Sequence, residues 1–190
     1  MTWEDWTRYV DRLPRGKAGG NDGVTYELVR DAPLTLKQVI FDGVNALLAG
    51  HRMPAHWKGG VICLLTKREP ASQIENLRPV TLLQVTYKIF TSVIADRLSY
   101  TMERNGILEG SQHGFRPRRQ TRKPIAQLQS IVAEAKRERR QVIVAYLDWF
   151  SAFCSVSLEQ LYRCLERLGL NPADVDTIRK AHAGAWVKVR

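Results

Sequence analysis

The spacing of apolar residues along the chain predicts a series of helices interrupted by short strands. Apolar residues recur at helical spacing between residues 36 and 48, and again between residues 82 and 102. Gly50 ends the first run, and Asn105–Gly106 ends the second. The run VICLL, residues 61–65, is short and β-branched, so it predicts a strand. Asn76–Pro79 has the composition of a turn.

The second half of the chain repeats this alternation. Pro124 is typical of a helix start, and the apolar positions that follow it predict one inward face (Ile125, Leu128, Val132 and Ala135). VIVAYL, residues 142–147, is too short for a helix and predicts a central strand. A capping box at Ser157–Gln160 predicts a helix with four inward leucines (Leu158, Leu161, Leu165 and Leu168). Asn171–Pro172 starts another helix.

The order of these elements predicts an α/β fold in one domain. Helices and loops come first, and a strand–turn–helix unit follows. A chain of 190 residues is long enough for one substantial core and short for two. The three cysteines include no C-x-x-C pair, which indicates reduced intracellular thiols, with Cys63 and Cys164 in the core and no zinc site.

The net charge points to a polyanionic partner. The formal charge is +10 and the isoelectric point is about 9.9. Nucleic acid is the first candidate for such a protein, and an anionic membrane is the alternative. No basic amphipathic helix with a broad aromatic face favours the membrane, and no apolar run approaches the roughly 20 residues that span a bilayer. The start, MTWEDWTRYV, is not typical of a signal peptide.

One basic segment stands out. GFRPRRQTRKP, residues 114–124, contains five basic residues and no acid: Arg116, Arg118, Arg119, Arg122 and Lys123. A charge run is usually a solvated face, but glycine, two prolines and an aromatic residue exclude a single helical face here.

A lone carboxylate, Asp148, follows the predicted strand VIVAYL. Its position alone favours an aspartate that accepts hydrogen bonds in a turn. The carboxyl end of a buried strand is also where α/β sheets place ligand chemistry, and oxygen ligands suit Mg²⁺. Ala152 leaves room beside the acid, and Phe153 offers a flat wall for a sugar ring.

Five sequence boxes occur in an order that resembles a known family. They are Gly20–Asn–Asp–Gly23, Pro54-x-x-Trp57–Lys58 with Ile62, Leu64 and Lys67, Asn76–Leu–Arg–Pro–Val–Thr–Leu–Leu83, Gln112–His–Gly–Phe–Arg116, and Leu147–Asp148 with Ala152–Phe153. This order resembles the reverse transcriptase domain of non-LTR (LINE-like) retrotransposons, which are related to group II intron enzymes. The resemblance implies a right-hand polymerase fold, with fingers over residues 1–140 and the start of a ferredoxin-like palm over residues 141–190.

The resemblance also implies a role for each box. Asp148, with the main-chain carbonyl of Trp149, would bind the two catalytic Mg²⁺ ions. Arg78 and Lys67 would hold the incoming deoxynucleoside triphosphate, although Arg78 has the alternative of pairing with Glu75. Phe153 would be the steric gate against ribonucleotides, with core packing as the alternative. The basic residues from Arg116 to Lys123 would contact the phosphates of the RNA template and DNA primer.

Several departures limit what the resemblance implies. Cys154 stands where the family usually has a second aspartate, and Lys123 stands where an aspartate usually follows Thr121. The family's paired-aspartate hairpin does not occur in this sequence, and Asp174-x-Asp176 is typical of the first turn of a helix. We therefore expect a truncated or decayed copy that is inactive alone, and an intracellular location, nuclear for a eukaryotic retrotransposon product.

Two other functions remain open at this point. One is a non-catalytic RNA-binding module, which the basic surface alone favours. The other is an RNA-directed RNA polymerase, which shares the lone acid but usually has a polar gate in place of Phe153.

Overall fold

The computed structural model describes all 190 residues, and the fold is mixed α/β. The eight helices are α1 (Trp3–Asp11), α2 (Tyr26–Arg30), α3 (Leu34–Leu48), α4 (Val85–Arg104), α5 (Arg122–Arg137), α6 (Ala152–Ser155), α7 (Leu158–Arg167) and α8 (Pro172–His182). The three strands are β1 (Gly59–Thr66), β2 (Leu77–Leu83) and β3 (Trp186–Val189). No helix is both long and apolar enough to span a bilayer.

The chain divides into two compact units. The first comprises Met1–Ile94 together with Leu165–Arg190, and the second comprises Ala95–Cys164. Each unit therefore carries its own part of the predicted site. The predicted boundary between fingers and palm at residue 140 stays a prediction.

The sheet of the first unit has the order β2-β1-β3. The strand predicted from VICLL is confirmed as β1, which pairs antiparallel with β2 and parallel with β3. The turn predicted at Asn76–Pro79 is wrong, because Leu77 already pairs with Thr66 and Pro79 lies opposite Leu64. Proline is tolerated there because β2 is an edge strand.

Gly59 allows the parallel pairing at the start of β1. In the register of the two strands, Gly59 lies opposite Trp186. A Cβ atom built on Gly59 would lie 2.5 Å from the indole ring of Trp186. The absence of a side chain at this position therefore lets β3 approach β1 with its tryptophan against the backbone.

The core of the first unit forms mainly between its helices. The helix predicted from residue 36 onward is confirmed as α3, which buries Ile40, Val44 and Leu47. The helix predicted over residues 82–102 is confirmed as α4, but it begins at Val85 because Leu82 belongs to β2. Trp6 of α1 is buried in the same cluster.

The buried ammonium group of Lys58 joins the end of α8 to the start of β1. Its Nζ atom donates hydrogen bonds to the carbonyl oxygens of Lys180, at 2.7 Å, and Ala183, at 2.5 Å. The last carbonyls of a helix have no partner inside the helix, so a lysine is well suited to satisfy them. Burial lowers the pKa of Lys58 below the usual lysine value, and the nearby charge of Arg52 adds to this effect.

The strand predicted at residues 142–147 is wrong, because the structure has no regular secondary structure there. All six residues are exposed, and none pairs with a strand of the sheet. A β-branched run becomes a strand only when neighbouring backbone groups accept and donate its hydrogen bonds. The run VICLL finds such partners in β2 and β3, whereas VIVAYL finds none.

The helices of the second half begin close to where the sequence predicted, but their apolar faces are only partly buried. Ala135 is buried on α5, whereas Ile125 and Val132 are exposed. On α7 Leu165 is buried, but Leu158 and the following Leu168 are exposed. The predicted N-cap of α8 is confirmed, since Asn171 accepts a hydrogen bond from the Ala173 amide at 2.9 Å.

The predicted core positions of the cysteines are only partly correct. Cys63 is half-buried on β1, but Cys164 is exposed on α7 and does not fill the core. The apolar face of α7 turns Tyr162 and Leu165 inward, which leaves Cys164 on the other side of the helix.

We expect Lys58→Met to lower the free energy of unfolding by about 1–3 kcal/mol, because two carbonyl oxygens lose a charged donor. Urea denaturation followed by circular dichroism measures this change. Lys17→Met is the matched control, since Lys17 is exposed; its effect should stay within about 0.5 kcal/mol. Equal stability of Lys58→Met and the parent protein would show that Lys58 does not hold α8.

Candidate functional site

Asp148 lies in the exposed segment that precedes α6. The residues from Val142 to Asp148 are exposed and lie outside helices and strands. Ser151 then adopts a left-handed conformation, with φ 49° and ψ 43°, and the single turn α6 carries Phe153. The order acid, tight turn and aromatic residue is thus kept, but the predicted strand that would support the acid is not formed.

The donor set around Asp148 does not suit two metal ions. Two divalent cations a few ångströms apart repel each other, and several carboxylates are needed to offset that repulsion. The structure contains no group of three or more histidine, cysteine, aspartate or glutamate side chains that could hold a metal ion. One carboxylate and the carbonyl of Trp149 leave most of a Mg²⁺ coordination sphere to water.

Lys67 and Arg78 lie close to each other in the register of the β1–β2 hairpin. Arg78 lies opposite Leu65, and Lys67 follows two residues later, immediately after β1. Side chains two residues apart point to the same face, so Lys67 and Arg78 are diagonal neighbours. The amides of Lys67 and Arg68 both donate to the Asn76 carbonyl, at 2.7 Å and 3.3 Å, so the regular ladder ends there but Lys67 stays bonded to the segment before β2.

Both of these cations are available to a ligand. Lys67 and Arg78 are exposed. The ion pairs of the structure include none between Arg78 and Glu75, so the alternative partner considered for Arg78 is not used. The hairpin therefore carries two exposed cationic side chains, an ammonium and a guanidinium group, both of which suit phosphate oxygens.

Arg116 differs from the other basic residues of its segment because its side chain is already used inside the protein. Only 6% of the side chain is exposed, and its Nε and Nη2 atoms donate to the two carboxylate oxygens of Glu103, each at 2.7 Å. Its Nη1 atom donates to the carbonyl oxygens of Glu109 and Gln112. The hydrogen bonds from Arg116 lower the pKa of Glu103, and the carboxylate raises the pKa of Arg116.

The phosphate contact predicted for Arg116 does not agree with this geometry. Four of the five N–H groups of a guanidinium are committed to Glu103, Glu109 and Gln112. A phosphate would have to break a nearly buried ion pair to reach this side chain. Arg116 therefore holds its loop in place.

The other four basic residues of the segment line one open cavity. It has a volume of about 440 Å³, and its walls are formed by His113, Arg118, Arg119, Gln120, Arg122 and Lys123. Its residues lie before and within the first turn of α5, where no acid is present and Thr121 makes no side-chain cap. The buried Nδ1 atom of His113 has no hydrogen-bond partner. Positive side chains at the start of a helix favour an anion in this cavity.

Phe153 is exposed, so core packing does not explain it in this structure. The residue is 82% exposed, and its ring contacts Phe115 edge to face, with 6.0 Å between the ring centroids. Phe115 belongs to the Gln112–Arg116 box, and its backbone has a left-handed φ of 59°. The structure thus joins two of the boxes through an aromatic contact.

Three residues with clear structural roles were not identified from the sequence. Lys58 appeared only as part of a motif, and Phe115 only as the aromatic residue of its box. Glu103 gave no signal, because its partner Arg116 lies 13 residues later in the chain. A pair of charges at that spacing is not distinguishable from unrelated surface charges by pattern alone.

Comparison with known proteins gives a consistent family. The profile of the reverse transcriptase (RNA-dependent DNA polymerase) family matches residues 66–186. The chain is 26% identical, over 87% of its length, to the probable RNA-directed DNA polymerase from transposon BS of Drosophila melanogaster, and covers 18% of that protein. It is 27% identical, over 80% of its length, to the RNA-directed DNA polymerase from mobile element jockey of the same organism, of which it covers 17%.

A third relative comes from another insect. Over 91% of its length, the chain is 27% identical to a retrovirus-related Pol polyprotein from type-1 retrotransposable element R2 of Popillia japonica, of which it covers 23%. The chain spans about a fifth of the length of these relatives. The predicted resemblance to non-LTR retrotransposon enzymes is confirmed, and the chain belongs to the reverse transcriptase family.

Proposed function

We propose that the chain is the fingers (residues 1–140) and the first part of the palm (residues 141–190) of an RNA-directed DNA polymerase. The complete enzyme would add deoxynucleotides to a primer 3′-hydroxyl on an RNA template. The observation that carries this proposal is the pair of exposed cations, Lys67 and Arg78, close to each other in the register of the β1–β2 hairpin within the matched family region. A paired ammonium and guanidinium group is suited to a triphosphate.

The hairpin would bind the nucleotide through its phosphates. Arg78 offers a planar fork of donors for two phosphate oxygens, and Lys67 adds a point charge beside it. Because both side chains project from a paired strand or its immediate end, binding requires little ordering of the backbone. This side of the site would orient the triphosphate, and the base would be selected by pairing with the template.

The cavity before α5 would hold the nucleic-acid backbone. Its four cations are Arg118, Arg119, Arg122 and Lys123, and phosphate contacts of this kind are independent of sequence. We leave Arg116 out of this proposed set, because its guanidinium group already pairs with Glu103. The RNA template and the DNA primer are the partners this surface fits.

Asp148 would supply one carboxylate of the metal site, and Phe153 would exclude the ribose 2′-hydroxyl. The family in general uses divalent metal ions, and Mg²⁺ suits oxygen ligands. Further carboxylates from the rest of the enzyme are needed to complete a two-ion site. In this arrangement Asp148 would not support catalysis in the 190-residue chain alone.

We expect Asp148→Asn to abolish primer extension in the longer protein that includes the remainder of the palm. The loss should be at least about a hundredfold in rate, because one metal ligand of the reacting phosphate is removed. Asp174→Asn is the control, since Asp174 lies in the first turn of α8. Primer extension and RNA binding are measured together, and only extension should fall.

Two results would contradict this assignment of Asp148. One is a longer protein in which Asp148→Asn extends primers as the parent does. The other is extension by the 190-residue chain itself, since a single carboxylate is not expected to hold two divalent ions.

We expect the triple change of Arg118, Arg119 and Arg122 to alanine to weaken binding to unrelated RNA sequences by similar factors. The slope of log affinity against log salt should fall by about 2–3, close to one unit for each lost phosphate contact. Fluorescence anisotropy with labelled RNA and RNA–DNA duplexes at several salt concentrations measures both quantities. An unchanged salt slope would refute the phosphate role of this cavity.

A matched triple change tests whether RNA affinity depends on the position of the arginines in the cavity or on the net charge of the protein. Arg12, Arg15 and Arg97 are exposed arginines outside the cavity, and their replacement by alanine removes the same charge. We expect this control to keep most of the affinity. An equal loss of RNA affinity in the two triple variants would show that binding depends on the overall charge and not on the cavity.

A further inference from the structure

The aromatic contact between Phe115 and Phe153 is unusual because both rings are largely exposed. Phe115 is 92% exposed and Phe153 is 82% exposed, yet the rings meet edge to face at an interplanar angle of 87°. Edge-to-face contact is a favoured geometry for two aromatic rings. Because both residues are so exposed, hydrophobic burial does not account for this pair.

The backbone near both rings has a conformation that side chains disfavour. Phe115 has a φ of 59°, which is a genuine outlier for a bulky residue. Ser151, two residues before Phe153, is also left-handed, with a φ of 49°. Such conformations persist only where surrounding interactions impose them, and they concentrate at functional sites.

The interactions that impose the conformation of Phe115 come from its neighbours in the loop. Arg116, the next residue, is anchored by Glu103 and by the carbonyl oxygens of Glu109 and Gln112. The side-chain amide of Gln112 donates to the Gly114 carbonyl at 3.1 Å. These bonds fix the backbone on both sides of Phe115 and direct its ring out of the loop, toward Phe153.

Phe153, in contrast, has little support of its own. It lies on the four-residue helix α6, whose residues are all exposed. A gate against the 2′-hydroxyl works only if its ring is held within a fraction of an ångström. The required support must therefore come from a neighbouring side chain.

We propose that Phe115 is the positioning residue of the Phe153 gate, and that the ion pair Arg116–Glu103 anchors Phe115 in turn. This inference rests on the proposed function, in which Phe153 selects deoxynucleotides. It assigns Phe115 a role in nucleotide specificity without contact to the reacting atoms. It also assigns Arg116 an indirect role, in which its ion pair with Glu103 holds Phe115 in position.

The test uses the longer polymerase and measures kcat/KM for a deoxynucleotide and the matching ribonucleotide. Phe153→Val is the reference variant and should lower discrimination by opening the gate. Phe115→Ala should lower discrimination by about twofold to tenfold, the factor that one edge-to-face contact contributes. The change should come from better ribonucleotide use, with kcat/KM for the deoxynucleotide retained.

Three further variants separate positioning from other effects. The double variant of Phe115→Ala and Phe153→Val should discriminate against ribonucleotides as Phe153→Val alone does. If Phe115 acts only by positioning the Phe153 ring, its removal has no further effect once that ring is absent. Phe115→Tyr should keep the discrimination of the parent, since the ring is retained. Phe150→Ala is the control, because that ring is 95% exposed and lies outside the aromatic pair.

The outcomes distinguish this inference from the function on which it rests. If Phe153→Val lowers discrimination and Phe115→Ala does not, the gate is correct and the role of Phe115 is wrong. If the two effects multiply in the double variant, Phe115 acts independently of Phe153 and the inference is overturned. If Phe153→Val itself leaves discrimination unchanged, the gate fails, and the inference fails with it.

Discussion

Backbone pairing is the constraint on which the rest of this structure depends. β1 has a partner along each edge, and the elements that carry Lys67 and Arg78 are ordered by that pairing. Gly59 leaves space for the Trp186 ring of β3. Lys58, immediately before β1, donates hydrogen bonds to the last carbonyls of α8. Both β3 and α8 are therefore attached at the start of β1. The segment 142–147 has an equally suitable composition but no partner, and it remains exposed. Asp148, which follows it, therefore has a defined place in the sequence but no supporting sheet.

Local electrostatics decides which cations of this basic protein are available to ligands. A guanidinium that finds a carboxylate in a nearly buried setting is committed to the fold, as Arg116 is to Glu103. Around the cavity before α5, Arg118, Arg122 and Lys123 are exposed and can exchange water for a polyanion. Arg119 is half-buried and donates to the Gly110 carbonyl at 3.5 Å. The same ion pair holds a strained loop in one conformation, and this loop presents Phe115.

Much of the helical structure was predictable, because helices depend on local spacing and capping. The positions of α3, α4 and α8 follow from apolar periodicity and from signals such as Asn171. Strands were less predictable because their partners lie elsewhere in the chain. The runs VICLL and VIVAYL look alike, yet only the first is paired, and β2 forms across a segment with turn composition. The site residues came from a family resemblance, and the sequence could not distinguish Arg116 from Arg118, since the difference lies in a contact with Glu103.

Amide hydrogen exchange of the 190-residue chain tests most directly whether the segment bearing Asp148 lacks the partners that order β1. Paired strands exchange slowly, and exposed segments without hydrogen bonds exchange close to the rate of an unfolded chain. We predict slow exchange for residues 60–65 and fast exchange for residues 142–147, with protection of the second segment appearing only in the longer protein. Equal protection of both segments in the 190-residue chain would contradict this account, because VIVAYL would then have a strand partner within the chain.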